Sequence, residues 1–353
     1  MNTNDYKANI ERVLLGYYIK YDKLFELTNK AFVNANSNDI DIYIDIYDML
    51  KPVYTTNVYA NNQYTVVSSI INVAAHMREY FWSRHRVNTR IFLVYGDCTT
   101  LNHKQFYMSF GDDDYINALN FNKMNSVIAS QLEMIKILCA YIYGVYLVKR
   151  TTDFSMFVYD NIIKNKQIPA LLITKSKYAY QIPALCENAV IYRPKKYDGQ
   201  DISYYIDNTN VLNMFFDKIK SSKSIELLKE LNPSMLSLLI TMNGLPQKKL
   251  LTLFNSTSAI NKVHDAVINL RINNAYNPDV DYMYNALQIA DKIDPSSFKC
   301  RFNAVDLIFQ HMVYTNTVES KDISWNIDLQ DRKTIHAINN KYFVDNPLDL
   351  NSL

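Results

Sequence analysis

The sequence predicts an α/β fold: a doubly wound, mostly parallel sheet of about five strands, followed by a helical C-terminal region. Three observations carry this reading. Short continuous apolar runs such as RIFLVY (90–95) and ALLIT (170–174) read as strands buried on both faces. Segments with apolar residues at helical spacing separate them. After about residue 207, strand-like runs become rare and helical patterns dominate.

Taken in order, residues 8–32 read as an amphipathic helix through Ile10, Val13, Leu14 and Tyr17. Asn34 to Asn38 is a polar break, and Ile40 to Met49, dense in Ile and Tyr, reads as the first strand. Residues 64–85 form a helix with Val66, Val67, Ile70, Ile71, Val73 and Ala74 along one stripe. The strand Arg90 to Tyr95 follows, then a polar loop with Asp112, Asp113 and Asp114. Val127, Ile128, Leu132, Ile135 and Leu138 place a helix over 123–140, ended by Gly144. Val145 to Val148 is a strand, 153–165 a helix, and Ala170 to Thr174 and Ala189 to Tyr192 are the last two strands. Helical segments then cover 209–231, 233–242, 246–255, 258–270, 280–292 and 303–314. The domain division is 1–207 for the α/β part with its N-terminal helix and 208–353 for the helical part, with the boundary near 207–232. Residues 321–353 are polar and read as an extended arm with scattered apolar anchors, held by the body of the fold or by a partner.

Composition narrows the function classes. Hydrophobic residues make up 48% and charged residues 20%, a globular balance. The chain has 28 Tyr against 6 Gly, and Asn, Ile and Lys are abundant, a bias expected of an AT-rich genome such as that of a bacterium or its phage. A net charge of +2 argues against a surface that grips nucleic acid all over, while leaving room for a local basic groove. Cys98, Cys139, Cys186 and Cys300 are scattered, with no CxxC pair, and read as reduced, mostly buried thiols, which fits folding in the cytoplasm. No signal peptide is read at the N-terminus, and the most apolar stretch, Ile135 to Val148, is too short and broken to span a membrane. There is no GxGxxG, no P-loop, and no His pair at zinc-ligand spacing.

Open parallel sheets gather ligands at the carboxyl ends of their strands. There the sequence places Asp45 after IYI, Asp97 after RIFLVYG, Asp153 after VYLVKRTT and Ser176 after LLITK. Three carboxylates at one sheet edge would be a like-charge cluster, which a divalent cation such as Mg²⁺ or Mn²⁺ would neutralise. Taken singly, each Asp reads first as a solvated turn or cap residue.

The order of these segments is more specific than any one residue. IYIDIYDMLKPVY (42–54), TRIFLVYGDC (89–98), ILCAYIYGVYLVKRTTDFSMFVYDNI (137–162) and ALLITKSKYAYQIPALCENAVIY (170–192) resemble successive elements of the PIN/FEN superfamily of metal-dependent 5′-nucleases. The resemblance covers about residues 40–192. Within it, Asp45 and Asp97 match the family's first two acids and Asp153 a third. Thr151 stands where the family has Glu, Phe154 replaces an Asp, and Ser176 and Tyr178 replace two more, while Thr174 and Gln181 are kept. The resemblance therefore implies a degenerate site: no cofactor, or one weakly bound Mg²⁺ or Mn²⁺ at Asp45, Asp97 and Asp153. Two-metal hydrolysis needs one cation to make the hydroxide and another to hold the leaving oxygen, and the missing acids would ligate them.

The DNA-handling parts depart from the family as well. The segment after the second acid (99–123) offers only His103, Lys104 and Lys123 beside three consecutive Asp, where active members carry a basic arch. LLITMNGLPQKKLLTLF (238–254) sits where the family has its helix-turn-helix motif, with Lys248, Lys249 and a lone Gly244. Arg78, Arg84, His85, Arg86 and Arg90 cluster around Tyr80, Phe81 and Trp82, an arrangement suited to base stacking and phosphate contact. The plainer reading is a helix end, where cations complement the macrodipole and aromatics fill core. The expectation is thus an eroded nuclease fold reused for binding or scaffolding in a protein assembly or homo-oligomer, in a phage virion or a nucleic-acid complex. The alternatives are an active Mg/Mn-dependent 5′-nuclease with a reduced site and a non-catalytic DNA- or RNA-binding protein. No membrane partner is expected.

Overall fold

A computed structural model describes residues 38–46, 63–96, 125–150, 154–165, 167–174, 178–197, 200–215, 233, 236, 332–343 and 347–349. The expected helix over 8–32, the loop over 99–123 and the helical segments over 246–255, 258–270, 280–292 and 303–314 lie outside the described residues.

The described strands are β1 (Asp39–Asp45), β2 (Asn88–Gly96), β3 (Val145–Arg150), β4 (Ala170–Ile173), β5 (Ala189–Tyr197) and β6 (Gln200–Ile206). They form one mixed sheet in the order β3-β2-β1-β4-β5-β6. β1 to β5 pair in parallel and β6 runs antiparallel to β5. Between the strands lie α1 (Gln63–His85), α2 (Asn125–Cys139), α3 (Phe154–Lys164) and the short α4 (Gln181–Leu185). α5 (Val211–Phe215) follows β6, and α6 (Arg332–Tyr342) comes much later.

Period-two alternation in β1 divides the molecule. Ile40, Ile42, Ile44 and Ile46 point into a cluster with Val66, Val67, Ile70 and Ala74 of α1, Leu132, Ile135 and Leu138 of α2, and Leu93 of β2. The opposite face of β1 carries Asp41, Tyr43 and Asp45, all buried. There Tyr43 stacks on Phe92 with ring centroids 5.0 Å apart, and both rings meet Phe157 of α3. Helices therefore cover the sheet from both sides, α1 and α2 on one and α3 on the other. Cys139 is deep in the first layer, where burial pushes its thiol up to about 12.

α1 ends in a Schellman motif. Val87 N donates to Phe81 O and Arg86 N donates to Trp82 O, with Arg86 at φ 58°. Gly144, in the turn between α2 and β3, is also left-handed, at φ 72°. The expected role of Gly144 as the end of its helix is thus displaced a few residues: α2 stops at Cys139 and Gly144 sets the entry to β3. Its carbonyl accepts from Ile91 N at 2.8 Å, which ties the turn to β2.

Two expectations change. The sheet has six strands, not about five, because the chain folds back after Tyr197. Tyr197 pairs with Gln200, so the two residues between them are Asp198 and Gly199. An Asp-Gly pair between two strand-like runs is a strong hairpin signal. The signal lies in the sequence, beside the alternation of Ile202, Tyr204 and Ile206. Pro194 is tolerated because β4 pairs with β5 only as far as Tyr192.

The second change concerns the polar arm. Residues 332–342 are helical, and Ile335, Phe343 and Leu348 are buried in the same cluster as α1 and α2. Tyr64 of α1 packs against Tyr342 and Phe343 at centroid distances of 5.3 and 6.3 Å. The body of the fold therefore holds this segment. Among the described residues no helix is long and apolar enough to cross a membrane.

Candidate functional site

The chain runs from β1 through β2 to β3 on one side, then crosses over β1 to β4 and β5 on the other. The order reverses between β1 and β4, and a crevice opens beyond the carboxyl ends of two such strands. Asp45 is the last residue of β1 and Thr174 directly follows β4. Ile44 pairs with Ile173, so the next step of the ladder sets Asp45 beside Thr174. Both are buried, at 5% and 1% exposure, and Thr174 Oγ1 donates to Asp45 Oδ2 at 3.0 Å. Asp45 and Thr174 thus meet at the switch point.

The remaining expected site residues are placed as follows. Asp97 and Asp153 lie just outside the described residues, after the end of β2 and before the start of α3, and Thr151 and Ser176 are outside as well. Phe154, the first residue of α3, is 2% exposed and belongs to the core. Tyr178 opens a short 3₁₀ turn and Gln181 begins α4. Among the described residues, no three His, Cys, Asp or Glu side chains converge. The described donors do not suit a pair of cations: one carboxylate stands at the crevice, and one of its oxygens is engaged by a hydroxyl.

A second polar centre lies on the same face, toward the amino ends of the strands. Arg90 of β2 grips Asp41 of β1 with two hydrogen bonds, Nε to Oδ1 at 2.7 Å and Nη2 to Oδ2 at 2.8 Å. Tyr43 OH donates to Asp41 Oδ2 at 3.3 Å, and Asn161 Nδ2 of α3 donates to Tyr43 OH. Burial raises the Asp41 carboxyl above its ordinary range even though the Arg90 guanidinium pulls it down. The same contact raises Arg90, and burial holds Tyr43 well above an ordinary phenol. Asp41 is four residues from Asp45, about 13 Å along an extended strand, so the two centres are separate. The sequence reading grouped Arg90 with the basic cluster before it and did not single out Asp41. The usable signal was the run DIDIYID, which sets Asp39, Asp41, Tyr43 and Asp45 on one face of a strand inside a sheet.

The basic cluster is divided by the fold. Arg84 and Arg86 are exposed, and Arg86 Cζ lies 5.7 Å from the ring centroid of Trp82, itself 53% exposed. Arg78 lies inward: its Nη1 is shut off from solvent and its Cδ approaches the backbone of Gly144. Burial lowers its pKa. Lys248 and Lys249 lie outside the described residues. α1 and α2 each lead into the start of a strand, so Trp82 and Arg86 stand at the amino edge of the sheet, away from Asp45. No protein-family model, no curated protein and no solved structure matches the chain.

Proposed function

We propose that this chain is a doubly wound, PIN/FEN-nuclease-like protein whose carboxylate site is reduced and which acts by binding or scaffolding rather than by phosphodiester hydrolysis. One observation carries the reading: the acid at the end of the central strand is turned to a neighbouring hydroxyl in the switch-point crevice, while the position expected to supply another acid is the buried Phe154. The parallel order β3-β2-β1-β4-β5 and the helices on both faces support the fold. Among the described residues the crevice holds one carboxylate, Asp45. With Asp97 and Asp153 at most beside it, the site would have too few acids for the two cations that activate water and stabilise the leaving oxygen.

The test incubates the full chain with labelled flap DNA, single-stranded DNA and RNA in Mg²⁺ or Mn²⁺, beside an Asp45→Asn, Asp153→Asn double variant. The expected result is the same cleavage, at background, for both proteins. Cleavage by the unsubstituted chain that disappears in the double variant overturns the proposal.

A second reading, non-catalytic binding of single-stranded nucleic acid, is favoured by one feature, the exposed Trp82 with Arg86 over its ring. Aromatic stacking beside a cation holds bases without reading sequence. Salt-sensitive gel shifts that Trp82→Ala weakens, with no cleavage, would mark this reading out.

A further inference from the structure

The segment Pro347–Asp349 lies against α1, and side chains hold its backbone on alternate sides, the pattern of an extended peptide. Asn72 takes it twice: Nδ2 donates to Pro347 O at 3.1 Å, and Oδ1 accepts from Asp349 N at 2.9 Å. In an extended chain those two groups point the same way, two residues apart. The amide between them points the other way, and Leu348 N donates to Asn339 Oδ1 of α6 at 2.7 Å. Leu348 is buried, 4% exposed, in the cluster that holds residues of α1 and α6. One turn along α1 from Asn72, His76 Nε2 meets Asp349 Oδ2 at 2.7 Å. Pro347 stays exposed and contributes its carbonyl, the one hydrogen-bonding group a proline backbone has.

This is how a receptor reads a short linear peptide: the backbone is fixed on both sides, one apolar side chain fills a pocket, and one charge is matched. We propose that the cleft between α1 and α6 is a peptide-binding site for an extended Pro-Leu-Asp sequence, and that the chain's own Pro347–Asp349 segment is its displaceable occupant. Among its three described residues one apolar side chain is buried and the hydrogen bonds are polar and partly exposed, so the segment opens without the sheet. An identical segment supplied in trans competes for the same groups. The inference is independent of the crevice at Asp45.

The test uses the full chain with Leu348→Asp, which removes the resident anchor, and a fluorescent synthetic peptide of residues 344–353. The peptide is expected to bind this variant saturably, and at least about 10-fold more weakly once Asn72→Ala is added. The unsubstituted chain, with its own segment in place, should also bind at least about 10-fold more weakly. A Leu348→Asp chain with a native circular dichroism spectrum that ignores the peptide overturns the proposal, and so does a variant that fails to fold, since the segment is then core. Hydrogen exchange on the unsubstituted chain checks this without mutation. The Leu348 and Asp349 amides should exchange through a local opening, well ahead of Ile42 and Leu93. Exchange in step with those strands overturns the inference.

Discussion

Thr174 Oγ1 donates to Asp45 Oδ2 across the boundary between β4 and β1, at the one place in the parallel part of the sheet where the strand order reverses. Both residues are buried, so this hydroxyl supports a carboxylate that water reaches poorly. Thr174→Val keeps the shape and removes the donor. It is expected to cost about 1–2 kcal/mol in urea denaturation, the desolvation cost of a buried acceptor that loses a partner. Thr174→Ser keeps the donor and should retain most of that stability. Equal losses in the two variants would assign the role of Thr174 to its methyl group.

Arg90 and Asp41 make the corresponding relationship at the other end of the same face. Arg90→Met should cost about 3 kcal/mol near neutral pH, because it strands a buried carboxylate. The figure sits at the low end for such pairs since 37% of the Arg90 side chain meets solvent. The pH dependence has a definite sign. The folded Asp41 carboxyl is raised above the 3.8 of an exposed aspartate. Such a group contributes its stability fully below 3.8, and the contribution is lost as pH rises through the folded value. Loss of Arg90 raises the folded value further. Arg90→Met should therefore be closest to the unsubstituted chain near pH 4 and fall furthest behind near pH 7. A constant difference across that range would contradict the assignment.

The two left-handed positions among the described residues respond in opposite directions. Gly144 is at φ 72°, and an added Cβ would lie 3.2 Å from Thr89 O, a backbone atom that cannot turn aside. Gly144→Ala is expected to destabilise by about 1–2 kcal/mol. Arg86 occupies the Schellman position of α1 at φ 58°, where glycine carries no side-chain penalty. Arg86→Gly should stabilise by about 0.5 kcal/mol, after discounting the exposed contact with Trp82. Thermal melts of the two variants decide this by sign alone.

Most of the sheet was legible because the physics is local. RIFLVY and ALLI are apolar runs of strand length, and they became β2 and β4 within two residues of the expected ends. The helix expected over 64–85 begins at Gln63 and ends at His85, where its own capping hydrogen bonds stop it. What escaped depended on pairing or on sparse patterns. β6 is half polar and exists through its ladder with β5. α6 has a polar average composition that hides Ile335, Ile338 and Tyr342 at helical spacing. At the site, Asp45 was legible from its place at the end of a strand. The grip of Arg90 on Asp41 was not, because it joins residues 49 apart whose register only the sheet sets.

Phe154 offers the sharpest test of the proposed reduced site. If this position still lined a metal crevice, an acid there would find a cation and repay its burial. The side chain is instead 2% exposed, at the first turn of α3. Phe154→Asp therefore removes a packed ring and places a carboxylate where solvent is excluded. A loss of at least about 3 kcal/mol is expected in urea denaturation, with the same midpoint in Mn²⁺ and in chelator. Phe154→Leu, which keeps an apolar side chain, should lose about half as much or less. Mn²⁺ that restores the Phe154→Asp variant, and does nothing for Phe154→Leu, would place position 154 at the crevice. The proposed replacement of an acid by Phe154 would then lie at an open crevice, not in a core.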